Sequence, residues 1–181
     1  MKRFSYHRID SPIGTILAVT DGSALHALDF HDYIERMRRL LRVHYGEVEL
    51  VEEPDALGLR DRIERYFAAD FSAFDGLPLL TNGTPFQRSV WDALLTIPVG
   101  ATTSYGALAR SLGDVKATRA VGLANGANPI AIVVPCHRVI GADGSLTGYG
   151  GGLQRKEWLL RHEGVALPST LQTSFAFGTA P

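Results

Sequence analysis

The chain has 181 residues, of which 45% are hydrophobic and 20% charged, and its formal net charge is -1. These values are those of an ordinary globular protein and exclude a disordered, collagen-like or membrane-spanning chain. The single cysteine excludes a disulfide framework and a multi-cysteine zinc site, and it predicts a reducing, cytoplasmic setting. No apolar segment follows the basic residues near Met1, so we expect no secretory signal.

The near-neutral total conceals a charge difference between the two halves of the chain. Residues 1–80 carry 10 Lys and Arg against 14 Asp and Glu, a net charge of -4, whereas residues 81–181 carry 8 against 5, a net charge of +3. Such an asymmetry favours contact between the basic half and nucleic acid or a membrane surface, although many ordinary proteins show a charge difference of this size between their halves.

Residues 1–80 have the pattern of a small α/β domain. The predicted elements are strands at 14–19 and 24–30 joined by an Asp21-Gly22 turn, a helix at 33–45, a strand at 47–51 and a helix at 57–67. Three arginines of the first helix, Arg36, Arg38 and Arg39, predict a solvated helix face. A segment rich in Pro and Gly at 77–85 predicts a domain boundary.

The following residues predict a mainly helical second domain. The predicted helices are 86–95, 105–112 with Ser104 as N-cap, 115–124 with Asp114 as N-cap, and 153–163 closed by Gly164. The second and third of these form a helix-turn-helix candidate, for which an ordinary αα-hairpin is the alternative.

The third helix combines small residues with one arginine. Its apolar side is predicted to consist of Ala117, Ala120, Val121 and Ala124, while Arg119 lies on the opposite side. Such a helix suits close approach to another backbone, although Arg119 taken alone is more typical of a solvated surface.

The only thiol of the chain follows an apolar run at 130–134, which predicts a buried strand. A lone cysteine is commonly an inert buried residue, but cationic neighbours lower the pKa of a thiol and raise its thiolate fraction. His137 would need a tight turn or a bridging water to act on Cys136, because neighbours on an extended strand point to opposite faces. Glu163 lies in the last turn of the final predicted helix, where the negative end of the helix dipole destabilises a carboxylate. A hydrogen bond from an imidazole or a guanidinium would offset this cost.

The segment Pro135-Cys136-His137-Arg138-Val139-Ile140-Gly141 resembles the methylated-DNA–protein-cysteine methyltransferases, a family of DNA-repair alkyltransferases. The resemblance is dense over 84–168 and loose over 1–80. Further matching segments are Ser11 to Gly14, Phe86-Gln87, Ile97 to Gly100, Ser104 to Gly106, Thr118 to Gly122, Asn128-Pro129, Gly148 to Gly152 and Arg155 to Gly164. A long run of matches in one order is far more specific than any single short motif.

The resemblance implies an α+β chain, with a ribonuclease-H-like α/β domain at 1–80 and a winged-helix-like (helix-turn-helix) DNA-binding domain at 84–168. Residues 169–181 match nothing, and we expect a mobile tail there. The implied activity is DNA repair by irreversible, single-turnover transfer of an alkyl group from O6-alkylguanine, flipped out of the duplex, to Cys136. The implied partner is double-stranded DNA bound through its minor groove, with no membrane. We expect a monomer, and leave cooperative binding on DNA open.

The resemblance also implies roles for individual residues. Cys136 is the acceptor, His137 its base through a water, Glu163 the residue that orients His137, and Tyr105 the proton donor to the leaving guanine, while Asn128 holds the turn before the cysteine. The implied DNA-contacting residues are Arg119, which replaces the flipped nucleotide, and Ser104, Thr118, Ala120, Gly122 and Asn125. The implied pocket residues are Tyr149, Gly150, Gly151, Val139 and Pro135. The chemistry requires no cofactor and no metal.

Two alternatives remain open from the sequence. A non-catalytic sensor of alkylated DNA would resemble the same family, but such proteins replace the acceptor cysteine, which this chain keeps. A helix-turn-helix regulator with an inert cysteine is the other, although Arg119 and a Gly- and Ala-rich helix offer little chemistry for reading bases. Gly126 stands where some family members have arginine, and the chain lacks the cysteines with which some members hold zinc.

Overall fold

The computed structural model describes residues 1–168, so the predicted mobile tail at 169–181 lies outside the described residues. The chain divides into two compact units, of which the first contains Met1–Asn82 and the second begins at Gly83. The division therefore falls within the segment rich in Pro and Gly that the sequence marks as a boundary.

The first unit is a four-stranded sheet with helices. Its elements are β1 (Lys2–Ile9), β2 (Ile16–Thr20), β3 (Leu25–Phe30), α1 (Ile34–Tyr45), β4 (Val48–Glu52) and α2 (Leu59–Phe67). The strand order is β3-β2-β1-β4, in which β1 pairs antiparallel with β2 and parallel with β4. The predicted hairpin of β2 and β3 is confirmed. The sequence prediction lacks β1, because its buried positions do not alternate regularly.

The core of the first unit places α1 against one face of the sheet. Met37 and Leu41 of α1 pack with Phe4, Leu17 and Val19 of the strands. The prediction of a wholly solvated arginine face on α1 was wrong for Arg36, whose guanidinium pairs with the buried carboxylate of Asp29 at 2.5 Å. A buried carboxylate needs such a partner, whereas Arg38 and Arg39 are exposed.

The second unit is mainly helical. Its elements are α3 (Pro85–Leu95), β5 (Thr103–Ser104), α4 (Tyr105–Ser111), a 3-10 turn (Val115–Ala117), α5 (Thr118–Gly126), a second 3-10 turn (Cys136–Arg138), β6 (Val139–Ile140) and α6 (Leu153–His162). The short strands β5 and β6 pair in parallel. As predicted, the hydroxyl of Ser104 caps α4 by accepting from the amide of Ala107 at 3.1 Å.

The two helices α4 and α5 form the predicted helix-turn-helix, with one local difference. Residues 115–117 are a 3-10 turn rather than the start of α5, since the Asp114 side chain accepts from the amide of Lys116 and tightens the chain there. Val121, Ala124 and Asn125 are buried, whereas Ala120 is exposed, which corrects its predicted place on the apolar side. The buried side faces α3, where the indole of Trp91 donates to the carbonyl of Ala124 at 2.9 Å.

The apolar run at 130–134 is buried, but the predicted strand there was wrong. The chain turns, because the amide of Val134 donates to the carbonyl of Ile130 at 3.0 Å and Ile132 has a φ of 69°. A β-branched residue in the left-handed region is strained and needs support from its surroundings. Asn128 supplies it: its Nδ2 donates to the carbonyls of Ile130 at 3.3 Å and Val134 at 2.8 Å, and its Oδ1 accepts from the Ile130 amide at 3.0 Å.

We expect the replacement Asn128→Ala to destabilise the second unit by about 3 kcal/mol, because it removes three buried hydrogen bonds and leaves backbone groups unpaired. Urea unfolding followed by tryptophan fluorescence measures this unit specifically, since Trp91 and Trp158 both lie in it. The matched control is Asn125→Ala, which removes one longer contact of 3.4 Å to a carbonyl and should cost less than half as much. Equal urea midpoints for Asn128→Ala and the wild-type protein would contradict the role given to Asn128.

Candidate active site

Cys136 begins the 3-10 turn Cys136–Arg138 and is 4% exposed. Its amide donates to the carbonyl of Val134 at 2.8 Å, so the turn at 130–134 leads directly into the cysteine turn. A tight turn, one of the two arrangements that would let His137 act on Cys136, is therefore present. His137 follows in the same turn and is completely buried.

The imidazole of His137 is bonded to the carboxylate at the end of α6. Its Nε2 lies 2.9 Å from Oε1 of Glu163. The other ring nitrogen, Nδ1, is buried and has no hydrogen-bond partner among residues 1–168. Since an ionised carboxylate only accepts, Nε2 carries the proton and Nδ1 presents a lone pair. The arrangement therefore leaves Nδ1 as the nitrogen that can receive a proton.

Glu163 is buried and accepts from Arg138 as well as from His137. The guanidinium donates from Nε to Oε2 at 2.8 Å and from Nη2 to Oε1 at 2.9 Å. Its Nη1 donates to the carbonyl of Ile97 at 2.6 Å, which fixes the arginine in turn. Burial disfavours the carboxylate, but the hydrogen bonds from Arg138 and His137 outweigh burial and hold the pKa of Glu163 well below its ordinary value. Glu163 is consequently ionised at neutral pH.

Burial has the opposite consequence for His137. Desolvation of the imidazolium lowers the pKa of His137 below its ordinary value, and this outweighs the hydrogen bond and the charge of Glu163. The positive charges of Arg138 and Lys156 act in the same direction as burial. His137 is therefore neutral at pH 7, which is the state that a general base requires.

Tyr105 begins α4, and its hydroxyl donates to the carbonyl of Thr147 at 2.8 Å. Burial raises the pKa of Tyr105, and negative charge on Cys136, once the thiol is ionised, raises it further. The phenol therefore stays protonated and can act as a proton donor close to Cys136. The backbone of Gly148 passes close to the phenol, since a Cβ there would lie 3.6 Å from the Tyr105 hydroxyl oxygen.

Lys156 is a site residue that the sequence reasoning missed. It is completely buried in α6, and its Nζ donates to the carbonyls of Val139 at 2.5 Å, Thr147 at 2.8 Å and Gly148 at 3.2 Å. Burial lowers the pKa of Lys156 to about 8, although the Cys136 thiolate partly opposes this shift. The sequence offers one signal for this role, which is the position of Lys156 within an amphipathic helix. A lysine that such a helix buries is expected to have hydrogen-bond partners, because lysines are almost never buried without them.

The five predicted pocket residues differ in burial and in their relation to the cysteine turn. Pro135 and Val139 flank Cys136–Arg138 and are buried, as is Gly151, while Tyr149 and Gly150 are half-buried. The ring of Tyr149 meets that of His137 edge-on, with centroids 6.4 Å apart. The structure thus brings Tyr149 to the cysteine turn through its contact with His137.

The predicted DNA-contacting residues separate into an exposed group and one buried residue. Thr118, Arg119 and Ala120 are exposed on α5, while Ser104 and Gly122 are half-buried. Asn125 is 3% exposed, and its Nδ2 donates to the carbonyl of Cys136 at 3.4 Å. The Asn125 side chain therefore faces the cysteine turn rather than the exposed side of α5, because it needs a partner where α5 packs on the core.

The described residues hold no group of three or more His, Cys, Asp or Glu side chains arranged to bind a metal ion. No helix within the same residues is long and apolar enough to cross a membrane.

Comparison with known proteins covers both units. Residues 4–81 match the ribonuclease-like domain of 6-O-methylguanine DNA methyltransferase, and residues 85–165 match the DNA binding domain of the same enzyme. These matches confirm the predicted α+β fold class, with a ribonuclease-like domain followed by a DNA-binding domain.

Named relatives match over nearly the full chain. A methylated-DNA–protein-cysteine methyltransferase of Shigella flexneri is 51% identical, over 92% of this chain and 99% of its own. A Mycobacterium tuberculosis protein of the same name is 48% identical, over 92% and 96%. The crystal structure of Mycobacterium tuberculosis OGT in complex with DNA superposes with a TM-score of 0.75 at 45% identity, over 89% of this chain and 92% of that one. A chain that matches both domains in order, and named members over most of its length, belongs to the 6-O-methylguanine DNA methyltransferase family.

Proposed function

We propose that this chain repairs alkylated DNA by moving the alkyl group from O6 of a flipped-out guanine to the sulfur of Cys136, once per molecule. Relatives at 51% and 48% identity carry the name methylated-DNA–protein-cysteine methyltransferase. The observation that carries the proposal is the bond between His137 Nε2 and Glu163 at 2.9 Å, because it leaves Nδ1 free to take the thiol proton.

The transfer is a substitution at the alkyl carbon. The Cys136 proton passes through a water to Nδ1 of His137, and the thiolate attacks the alkyl carbon as the bond from that carbon to O6 breaks. The phenol of Tyr105 gives its proton to the leaving guanine, and the proton held by His137 restores the phenol through solvent. The products are guanine in DNA and a thioether at Cys136. A thioether has no easily hydrolysed bond, so the protein is not regenerated.

Lys156 positions the groups that act on the guanine. Its Nζ and the Tyr105 hydroxyl both donate to the carbonyl of Thr147, so the lysine fixes the segment to which the phenol is bonded. The same amine fixes Val139, which follows the cysteine turn directly. Fixed donors and acceptors lower the reorganisation that the reaction requires.

We infer that the DNA lies against α5 with its minor groove facing Arg119. A base inside a duplex cannot expose its alkyl carbon to a thiol, so it must leave the stack at a cost of a few kcal/mol. Arg119 is exposed and is the residue that takes the place of the flipped nucleotide.

The exposed side chains of Arg88, Arg110 and Lys116 supply phosphate contacts that do not depend on sequence. We expect the protein to act as a monomer in the cytoplasm.

The sensor and regulator alternatives are not favoured. The acceptor cysteine is present, and the neutral histidine that follows it in the same turn is bonded to the ionised carboxylate of Glu163 at the end of α6. The relatives at about half identity are named as methyltransferases.

Incubation with duplex DNA containing O6-methylguanine should add one methylene unit to the mass of the intact protein, because each Cys136 keeps one methyl group. Peptide mapping should place the addition on Cys136. The variant Cys136→Ala should bind the same DNA and show no gain. DNA binding by the unchanged protein without any mass gain would contradict the proposed activity.

We expect Glu163→Gln to lower the single-turnover rate at neutral pH by about 100-fold, since the base loses its orienting carboxylate. The rate falls as pH decreases through the pKa of His137, and loss of the Glu163 charge lowers that pKa further. The acid limb of the rate profile should therefore move to lower pH in the variant, as measured by quenched reactions from pH 5 to 8.

Glu157→Gln is the matched control, because Glu157 is also buried on α6 but pairs with Arg161 at 3.0 Å. Its acid limb should coincide with that of the unchanged protein. An unshifted acid limb in Glu163→Gln would contradict the link between Glu163 and His137.

The variant Arg119→Ala should react about 10 to 100 times more slowly with a methylated duplex, because the extruded nucleotide leaves a gap that nothing fills. With methylated single-stranded DNA the loss should be at most about threefold, since no base pair is broken. Arg110→Ala, which removes another exposed arginine of the same unit, should affect both substrates equally. Equal losses on the two substrates with Arg119→Ala would contradict its role in the duplex.

A further inference from the structure

The outward face of α5 carries an apolar side chain that the proposed mechanism does not use. Leu123 is 70% exposed, more than any other large hydrophobic residue in the described part of the second unit. It lies on the helix that also carries Arg119, in the unit that matches the family's DNA binding domain.

The composition of this face is unlike that of a solvated helix. A surface helix normally turns charged and polar side chains outward. The exposed residues of α5 are Thr118, Arg119, Ala120, Leu123 and Gly126, so a single charge accompanies one large apolar group and small residues. A Cβ at Gly126 would meet nothing within 4 Å, so the surface beside Leu123 is open. Such a surface favours close contact with a partner over solvation.

The helical spacing places Leu123 beside Arg119. Residues four apart on an α-helix differ by about 40° around the axis and lie about 6 Å apart along it. Whatever surface receives the Arg119 side chain therefore also meets Leu123, one turn further along α5.

We propose that Leu123 packs against the sugar walls of the DNA minor groove, one turn of α5 away from Arg119, and supplies the apolar part of the same contact. The inference rests on the proposed function, because it takes the DNA to lie on α5. The carbon–hydrogen faces of the deoxyribose rings line the groove walls, and apolar side chains are a recurrent means of minor-groove binding. The relative whose structure was solved in complex with DNA superposes on this chain with a TM-score of 0.75.

The proposed contact has an electrostatic signature that distinguishes it from phosphate contacts. Lysines and arginines that neutralise phosphates release counterions, so their contribution depends on salt. Leucine releases none. Loss of Leu123 should therefore weaken binding by the same factor at every salt concentration, and it should weaken binding to undamaged DNA as much as to methylated DNA.

The test uses the full chain and a fluorescently labelled undamaged duplex, with affinity measured by anisotropy at several salt concentrations. We expect Leu123→Ala to bind about five- to tenfold more weakly, with an unchanged slope of log affinity against log salt. Leu123→Met, which restores apolar volume, should bind within about twofold of the unchanged protein. Leu153→Ala is the matched control, because Leu153 is 47% exposed on α6, and its affinity should not change. The rate with saturating methylated duplex should be the same in Leu153→Ala and in the wild-type protein.

Three results would overturn the proposal: unchanged affinity in Leu123→Ala, an equal loss in Leu153→Ala, or a change confined to self-association in sedimentation experiments. The last would show that Leu123 contacts a second copy of the chain. Because undamaged DNA cannot be dealkylated, this test is independent of the chemistry at Cys136. Failure of the proposed function would appear as a missing mass gain in the unchanged protein, whereas failure of this inference would appear as equal affinities.

Discussion

The buried carboxylate of Glu163 is the group on which the site depends. It lies where α6 ends, a position that the helix dipole disfavours for an anion, and it is out of contact with water. Two donors of Arg138 and one of His137 compensate for both costs. The same three hydrogen bonds join the end of α6 to the cysteine turn and select the tautomer of His137. One buried carboxylate therefore fixes both the position of the base and its tautomer.

The fold could be predicted from the sequence wherever local signals agree with packing. Most helices and strands begin and end within two residues of their predicted bounds, since capping residues such as Ser104 act locally. The segment at 130–134 could not be predicted in this way. Its apolar run has the composition of a buried strand, but the side chain of Asn128 bonds the backbone into a turn instead. Periodicity shows that a segment is buried and does not show how its backbone hydrogen bonds are satisfied.

For the site as well, the sequence indicates which residues take part but not which contacts they make. The short motif around Cys136 and the position of Glu163 point to the residues that the fold brings together. The sequence could not assign a role to Lys156, because a lysine within an amphipathic helix indicates burial but does not show which backbone carbonyls the amine bonds. The family resemblance implies a DNA contact for Asn125, whereas its side chain is buried and donates to the Cys136 carbonyl. Hydrogen bonds between a side chain and a distant backbone group can be identified only from the three-dimensional structure.

The near-complete burial of Cys136 has a consequence for the lifetime of the unreacted protein in the cell. A thiol that reacts once cannot tolerate losses to peroxides or to small electrophiles, and susceptibility to these follows exposure and thiolate character. Because only 4% of the surface of Cys136 is exposed, such reagents have little access to this residue. Burial of Cys136 therefore protects the thiol from oxidation, while His137, the next residue in the turn, supplies the base that activates it. The protein can thus remain in store, chemically intact, until a lesion is presented to it.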